Sequence, residues 1–146
     1  MYDSYSPARA AIVTCMDPRL QLPRVLGPAV EESYILRNAG GRVTEDVLRG
    51  LVVCTRLLEV TEVGVIHHTD CRMQKYTQEE LILSTGVAID YRAFTDPLVS
   101  ILEDVHELAN CSILNPQLRI WGGLYMIENH TVSIISDTRD WSPSRT

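Results

Sequence analysis

Two short clusters hold most of the residues able to do chemistry. The first is Cys15-Met16-Asp17-Pro18-Arg19 and the second is His68-Thr69-Asp70-Cys71. Two thiols and one imidazole are good zinc ligands, and three protein ligands on a tetrahedral ion leave one corner open. An open corner marks a catalytic rather than a structural zinc. Water bound there loses a proton near neutral pH, and it must then present a lone pair to its target. A neighbouring carboxylate can orient it by accepting a hydrogen bond, and a permanently charged guanidinium can hold that carboxylate ionised and aimed. The expected roles are metal binding by Cys15, His68 and Cys71, orientation by Asp17, and fixing of Asp17 by Arg19.

Each residue also has a plainer reading. Cys15 alone would pass for a buried strand-end thiol. Cys54 and Cys111 have no partner at ligand spacing and read as core residues. His67 competes with His68, but successive strand residues face opposite ways, so one metal cannot take both. The spacing to Cys71 favours His68. His106 and His130 read as ordinary helix and turn residues, and Asp70 as a residue that orients the ligand loop or caps the next turn. Gly40-Gly41 either makes a tight turn at positive φ or lets bare backbone approach the pocket.

These residues need elements that bring them together. Ala10 to Cys15 is short and apolar, with β-branched residues near its end, and reads as a buried strand. Ser33 to Arg37 and Glu62 to His67 read as the second and third strands. Between the first two, Pro18, Pro23 and Pro28 break the chain into turns and one short helix. Thr44 caps a helix reaching about Glu59, and Thr77 to Glu80 fits a capping box for a helix through about Ser84. Asp96-Pro97 opens a helix to about Ala109. Leu118 to Trp121 reads as a fourth strand, with a final hairpin of Tyr125 to Ile127 and Thr131 to Ile135. Apolar strands separated by helices predict an α/β fold with a mostly parallel central sheet flanked by helices. Ligands in such sheets bind beyond the carboxyl ends of the strands, where Cys15 and His68 stand.

The length of 146 residues suits one domain spanning 1–146, with unstructured tails at Met1 to Pro7 and Asp137 to Thr146. A hydrophobic fraction of 45% with 22% charged residues is ordinary globular usage. The net charge of -6, without a basic patch, argues against a nucleic-acid partner. No apolar run is long enough to span a bilayer, and the first residues lack the apolar stretch of a signal peptide. The expectation is a cytoplasmic protein with no membrane partner, whose four cysteines stay reduced.

Cys-x-Asp-x-Arg followed by His-x-x-Cys is similar to the zinc signature of the β-class carbonic anhydrases, and Arg37-Asn38-Ala39-Gly40-Gly41 resembles that family's segment between the two motifs. The resemblance implies zinc on Cys15, His68 and Cys71, an Asp17–Arg19 dyad, and an antiparallel edge strand added to the parallel sheet. It also implies a homodimer or homotetramer with the site near the subunit boundary. Asp17 either serves the dyad or takes the fourth zinc position and closes the site. Two departures stand out: Arg72 follows the second cysteine where the family usually has glycine, and the chain is shorter than most members. The implied activity is hydration of carbon dioxide to bicarbonate. Hydrolysis of carbonyl sulfide or carbon disulfide on the same zinc is the alternative, and a non-catalytic zinc-stabilised module is the contrasting class. The small linear substrate is the partner common to both enzymatic readings.

Overall fold

The computed structural model describes residues 4–141. The uncharged segment AAIVTC forms strand β1, Ala10–Cys15, with every residue buried. Strand β3, Glu62–His68, is also buried throughout. β1 pairs in parallel with both β3 and β2, Tyr34–Asn38. β4, Arg119–Met126, runs parallel beside β3, and β5, Thr131–Asp137, returns antiparallel on its far side. The order β2-β1-β3-β4-β5 makes the expected mostly parallel sheet with an antiparallel edge.

Helices cover both faces of this sheet, as its apolar strands require. They are α1 Leu22–Leu26, α2 Glu45–Leu57, α3 Gln78–Thr85 and α4 Pro97–Ala109. The expected starts are realised. Thr44 accepts a hydrogen bond from the Val47 amide, Thr77 from Glu80, and Asp96 from Leu98 with Pro97 behind it. Alternation along the strands sorts the core into two layers. Val13, Val63, Val65 and Ile120 pack with Leu51 of α2 and Ile101 and Val105 of α4. On the other face, Ile12, Ile66, Trp121 and Tyr125 pack with Leu22 and Val25 of α1. Cys54 and Cys111 sit in or against the first layer, and all four thiols are free. Among the described residues no helix is long and apolar enough to cross a membrane.

Three expectations change. The fourth strand and the first arm of the hairpin are one continuous β4, because Gly122-Gly123 is a clearance rather than a break. A Cβ on Gly122 would lie 2.5 Å from Ile101 Cγ2 and 2.8 Å from Val105 Cγ2 of α4. A bulge in the β4–β5 register falls between the two glycines. The described parts of both tails are also tied down. Tyr5 is buried with its hydroxyl on the Leu26 carbonyl, and the Ser6 amide donates to Glu62. Asp137 ends β5 and binds Arg119 and Arg139. The rest of the expected tails, residues 1–3 and 142–146, lies outside the described residues. Finally, β3 extends through His68, which keeps both histidines on the strand.

Gly64 shows how closely the sheet is covered. A Cβ there would fall 2.4 Å from Cζ2 of Trp121, whose ring is fully buried. Gly64→Ala is expected to cost roughly 1–3 kcal/mol through overpacking, read as a lower urea midpoint. An unchanged midpoint would contradict this packing.

Candidate metal centre

β1 and β3 run side by side in parallel, so Cys15 and His68 emerge at the same edge of the sheet. After His68 the chain turns through Asp70 at φ 51°, a left-handed conformation that aspartate tolerates better than most residues. The turn is pinned to β4. The Thr69 amide donates to the Tyr125 carbonyl, and the Thr69 hydroxyl donates to Glu128 while accepting from the Ile127 amide. This returns Cys71 to face Cys15. One ligand atom each from Cys15, His68 and Cys71 lies within 4.8 Å of the others, and all three residues are buried.

The protonation pattern suits a cation. His68 Nδ1 lies 2.7 Å from the Thr69 carbonyl, which can only accept, so Nδ1 carries a hydrogen, and in the neutral ring it is Nε2 that offers a lone pair. That Nε2 is buried and makes no hydrogen bond. The Cys71 thiol beside it holds Cys15 down to about 4, helped by His68 and the Asp17 and Gly40 amides against the opposing effect of burial. Cys71 is pushed up by the same contact and by burial. Burial acts to lower His68, but Cys15 and the Thr69 carbonyl outweigh it, so His68 is raised. Two buried sulfurs thus stand close together, and a ring nitrogen with no hydrogen bond lies beside them. A divalent ion would let both sulfurs ionise and would use the free lone pair. The residues therefore fit a metal.

Asp17 lies beside this cluster, its Oδ2 3.8 Å from His68 Nε2. Arg19 donates to it through Nε at 3.1 Å, Nη2 at 2.8 Å and its amide at 2.8 Å. That guanidinium is the main reason the Asp17 carboxyl sits below the usual carboxylate range. Arg19 also donates to the Asp70 carboxylate at 3.0 Å and to its carbonyl at 2.9 Å. Lys75 binds the other Asp70 oxygen at 2.9 Å, and the two cations hold Asp70 down to about 2. Asp70 thereby ties the His68–Cys71 turn to the Asp17–Arg19 pair. A cleft of about 580 Å³ opens over these groups, walled by Met16, Pro18, Ala39 and Met73. Arg72 lines its edge and is exposed.

Every residue expected at the site is brought here. His67 points away toward α4, His106 stacks on Trp141 at 4.6 Å, and His130 hydrogen-bonds the Tyr125 hydroxyl. One contributor was missed. Arg37 donates to the Cys15 carbonyl at 2.8 Å and to the Asp17 carbonyl at 2.7 Å, bracing the first cluster from β2. Its signal was its place at the head of the Arg37–Gly41 segment, where parallel pairing sets it opposite Thr14.

A family model described as carbonic anhydrase matches residues 10–111. Beta-carbonic anhydrase 1 of Mycobacterium tuberculosis is 47% identical over 70 residues, 48% of this chain and 43% of that protein. The match therefore spans less than half the length of that relative. A carbon disulfide hydrolase of Acidianus is 30% identical over 152 residues, 84% of this chain and 74% of that protein. Among solved structures, the carbonic anhydrase of Streptococcus mutans aligns with a TM-score of 0.82 at 38% identity, covering 93% of this chain and 86% of that one. An apo carbon disulfide hydrolase aligns with a TM-score of 0.72 at 27% identity, covering 86% of this chain and 77% of that one. The family match runs through both residue clusters and the fold agrees along nearly the whole chain, so the chain belongs to the β-class carbonic anhydrase family.

Proposed function

We propose that Cys15, His68 and Cys71 hold a zinc ion and that this chain hydrates carbon dioxide to bicarbonate. The observation that carries the proposal is the buried, unbonded His68 Nε2 in a cluster where ligand atoms of Cys15, His68 and Cys71 lie within 4.8 Å of one another. Thiolates with imidazole select zinc over hard cations such as magnesium or calcium. When bound, zinc supplies a hydroxide nucleophile near neutral pH.

The chain's own groups handle orientation. Asp17 has its carboxylate spread against Arg19, ionised and fixed in direction. With the metal bound, Asp17 would accept a hydrogen bond from the attacking oxygen and so aim its lone pair at the substrate carbon. Arg19 acts through Asp17, as a positioning residue anchored by Asp70. This pairing favours Asp17 in the dyad over Asp17 as a ligand that closes the site. The apolar wall at Met16, Pro18, Ala39 and Met73 suits a small, linear, uncharged molecule. An intact dyad is also what a purely structural zinc module would not need.

Hydrolysis of carbonyl sulfide or carbon disulfide is the second reading, favoured by the similarity to the Acidianus carbon disulfide hydrolase. The similarity to the Streptococcus mutans carbonic anhydrase favours carbon dioxide. We extend the proposal to a homodimer or homotetramer, supported by β2, an edge strand with Tyr34 and Ile35 exposed. A cytoplasmic location suits the four free thiols.

Asp17→Asn keeps shape and removes the charge. It is expected to retain zinc and to lower kcat/KM for carbon dioxide by about 10²-fold or more, measured by stopped-flow acidification. Wild-type turnover by this variant would remove Asp17 from the mechanism. Rates on carbon dioxide and carbonyl sulfide, measured side by side with zinc quantified, are expected to show about one zinc per chain and faster carbon dioxide turnover. Hydrogen sulfide release outpacing acidification would select the second reading.

A further inference from the structure

A layer of buried charge lies on the opposite face of β3 from His68, and it leads back to the same centre. His67 Nε2 donates to the Gly41 carbonyl at 3.0 Å and lies 3.2 Å from Asp104 Oδ2. His67 Nδ1 is 2.7 Å from the Ser100 hydroxyl of α4. Asp104 is fully buried and accepts from Arg42 Nε at 2.9 Å, Arg42 Nη2 at 3.2 Å, the Val43 amide at 3.2 Å and Arg92 Nη2 at 3.2 Å. Well-packed apolar residues often stabilise a core as well as a buried ion pair does. A cluster this costly to desolvate invites a role in positioning.

What it grips is the Gly40–Gly41 loop. Both glycines have positive φ, 84° and 69°. Gly41 is pressed against β1, where a Cβ would fall 2.8 Å from the Cys15 nitrogen and 2.9 Å from the Thr14 carbonyl carbon. Phe94 seals the outer side. It lies 3.0 Å from where a Gly40 Cβ would stand, His67 stacks on it at 5.8 Å, and Arg42 lies over it at 5.5 Å. A continuous chain of contacts thus runs from Asp104 through His67 to the loop and then to Cys15.

We propose that His67, held by Asp104 and Ser100, is a positioning residue for Cys15: its grip on the Gly41 carbonyl sets the Gly40–Gly41 loop and so the direction in which the Cys15 sulfur meets the metal. The inference rests on the zinc reading above. Groups that orient metal ligands from behind typically change metal affinity 10- to 100-fold when removed.

The test uses the full chain loaded with zinc or cobalt. His67→Phe keeps a flat ring against Phe94 and removes both nitrogens, whereas His67→Gln can still donate to Gly41. Asp137→Asn breaks a buried ion pair beyond the opposite end of β3 and controls for lost stability. His67→Phe is expected to release zinc to a chelator about 10-fold faster and to shift the thiolate-to-cobalt charge-transfer band. His67→Gln should recover both, and Asp137→Asn should leave both unchanged while lowering Tm. Wild-type release and an unaltered cobalt spectrum in His67→Phe would overturn the inference, as would equally fast release from Asp137→Asn. Should His67→Phe fail to fold, Ser100→Ala is read the same way: faster release supports the inference and unchanged release overturns it. A wild-type chain that takes up neither metal would overturn the zinc reading itself and this inference with it.

Discussion

Two buried sulfurs at close quarters cannot both be ionised unless a cation lies between them, and the surroundings of Cys15 and Cys71 follow from that constraint. One thiol is pushed down by its neighbour and the other up, while His68 turns an unbonded nitrogen toward them. Nothing in the local sequence of either cluster produces this meeting. It is made by parallel pairing of β1 with β3, which sets the two strand ends side by side, and by the Asp70 turn, which brings Cys71 back. The apolar character of both strands is therefore a functional property. It keeps them in the middle of the sheet, where their carboxyl ends can converge.

β3 separates two kinds of polar environment. On one side His68 joins the sulfurs, and Asp17, Arg19, Asp70 and Lys75 form an ion-pair chain at the rim of the cleft. That chain is partly exposed, and its members contribute little to stability singly. Its value lies in fixed direction, since Arg19 joins the Asp17 carboxylate to the turn that carries His68 and Cys71. On the other side His67, Asp104 and Arg42 are buried and satisfied by several hydrogen bonds each. Adjacent histidines of the same strand thus serve opposite layers, and the two layers meet again at Cys15 through Gly41.

Much of this was legible in the sequence. Strand ends carrying Cys15 and His68, the caps at Thr44 and Asp96, and the grouping of both clusters all follow from local patterns that the tertiary structure keeps. Alternation set His67 and His68 on opposite faces, and the spacing to Cys71 together with the family resemblance chose His68 for the metal side. What was not legible depends on long-range packing. Gly122-Gly123 looks like a turn until α4 is seen to need the space, and Tyr5 looks like tail until Leu26 and Trp121 enclose it. The Arg37 brace and the Asp104 network join residues far apart in sequence, and their residue types are common on surfaces. Composition gives no hint that Asp104 is buried or that Arg37 reaches two backbone carbonyls.

The most direct measurement of the central claim is X-ray absorption at the zinc edge of metal-reconstituted protein. Two sulfur atoms are expected at about 2.3 Å and one imidazole nitrogen at about 2.0–2.1 Å, with one sulfur lost in Cys71→Ser. A zinc shell of oxygen and nitrogen alone, or one indifferent to Cys15 and Cys71 substitutions, would contradict it.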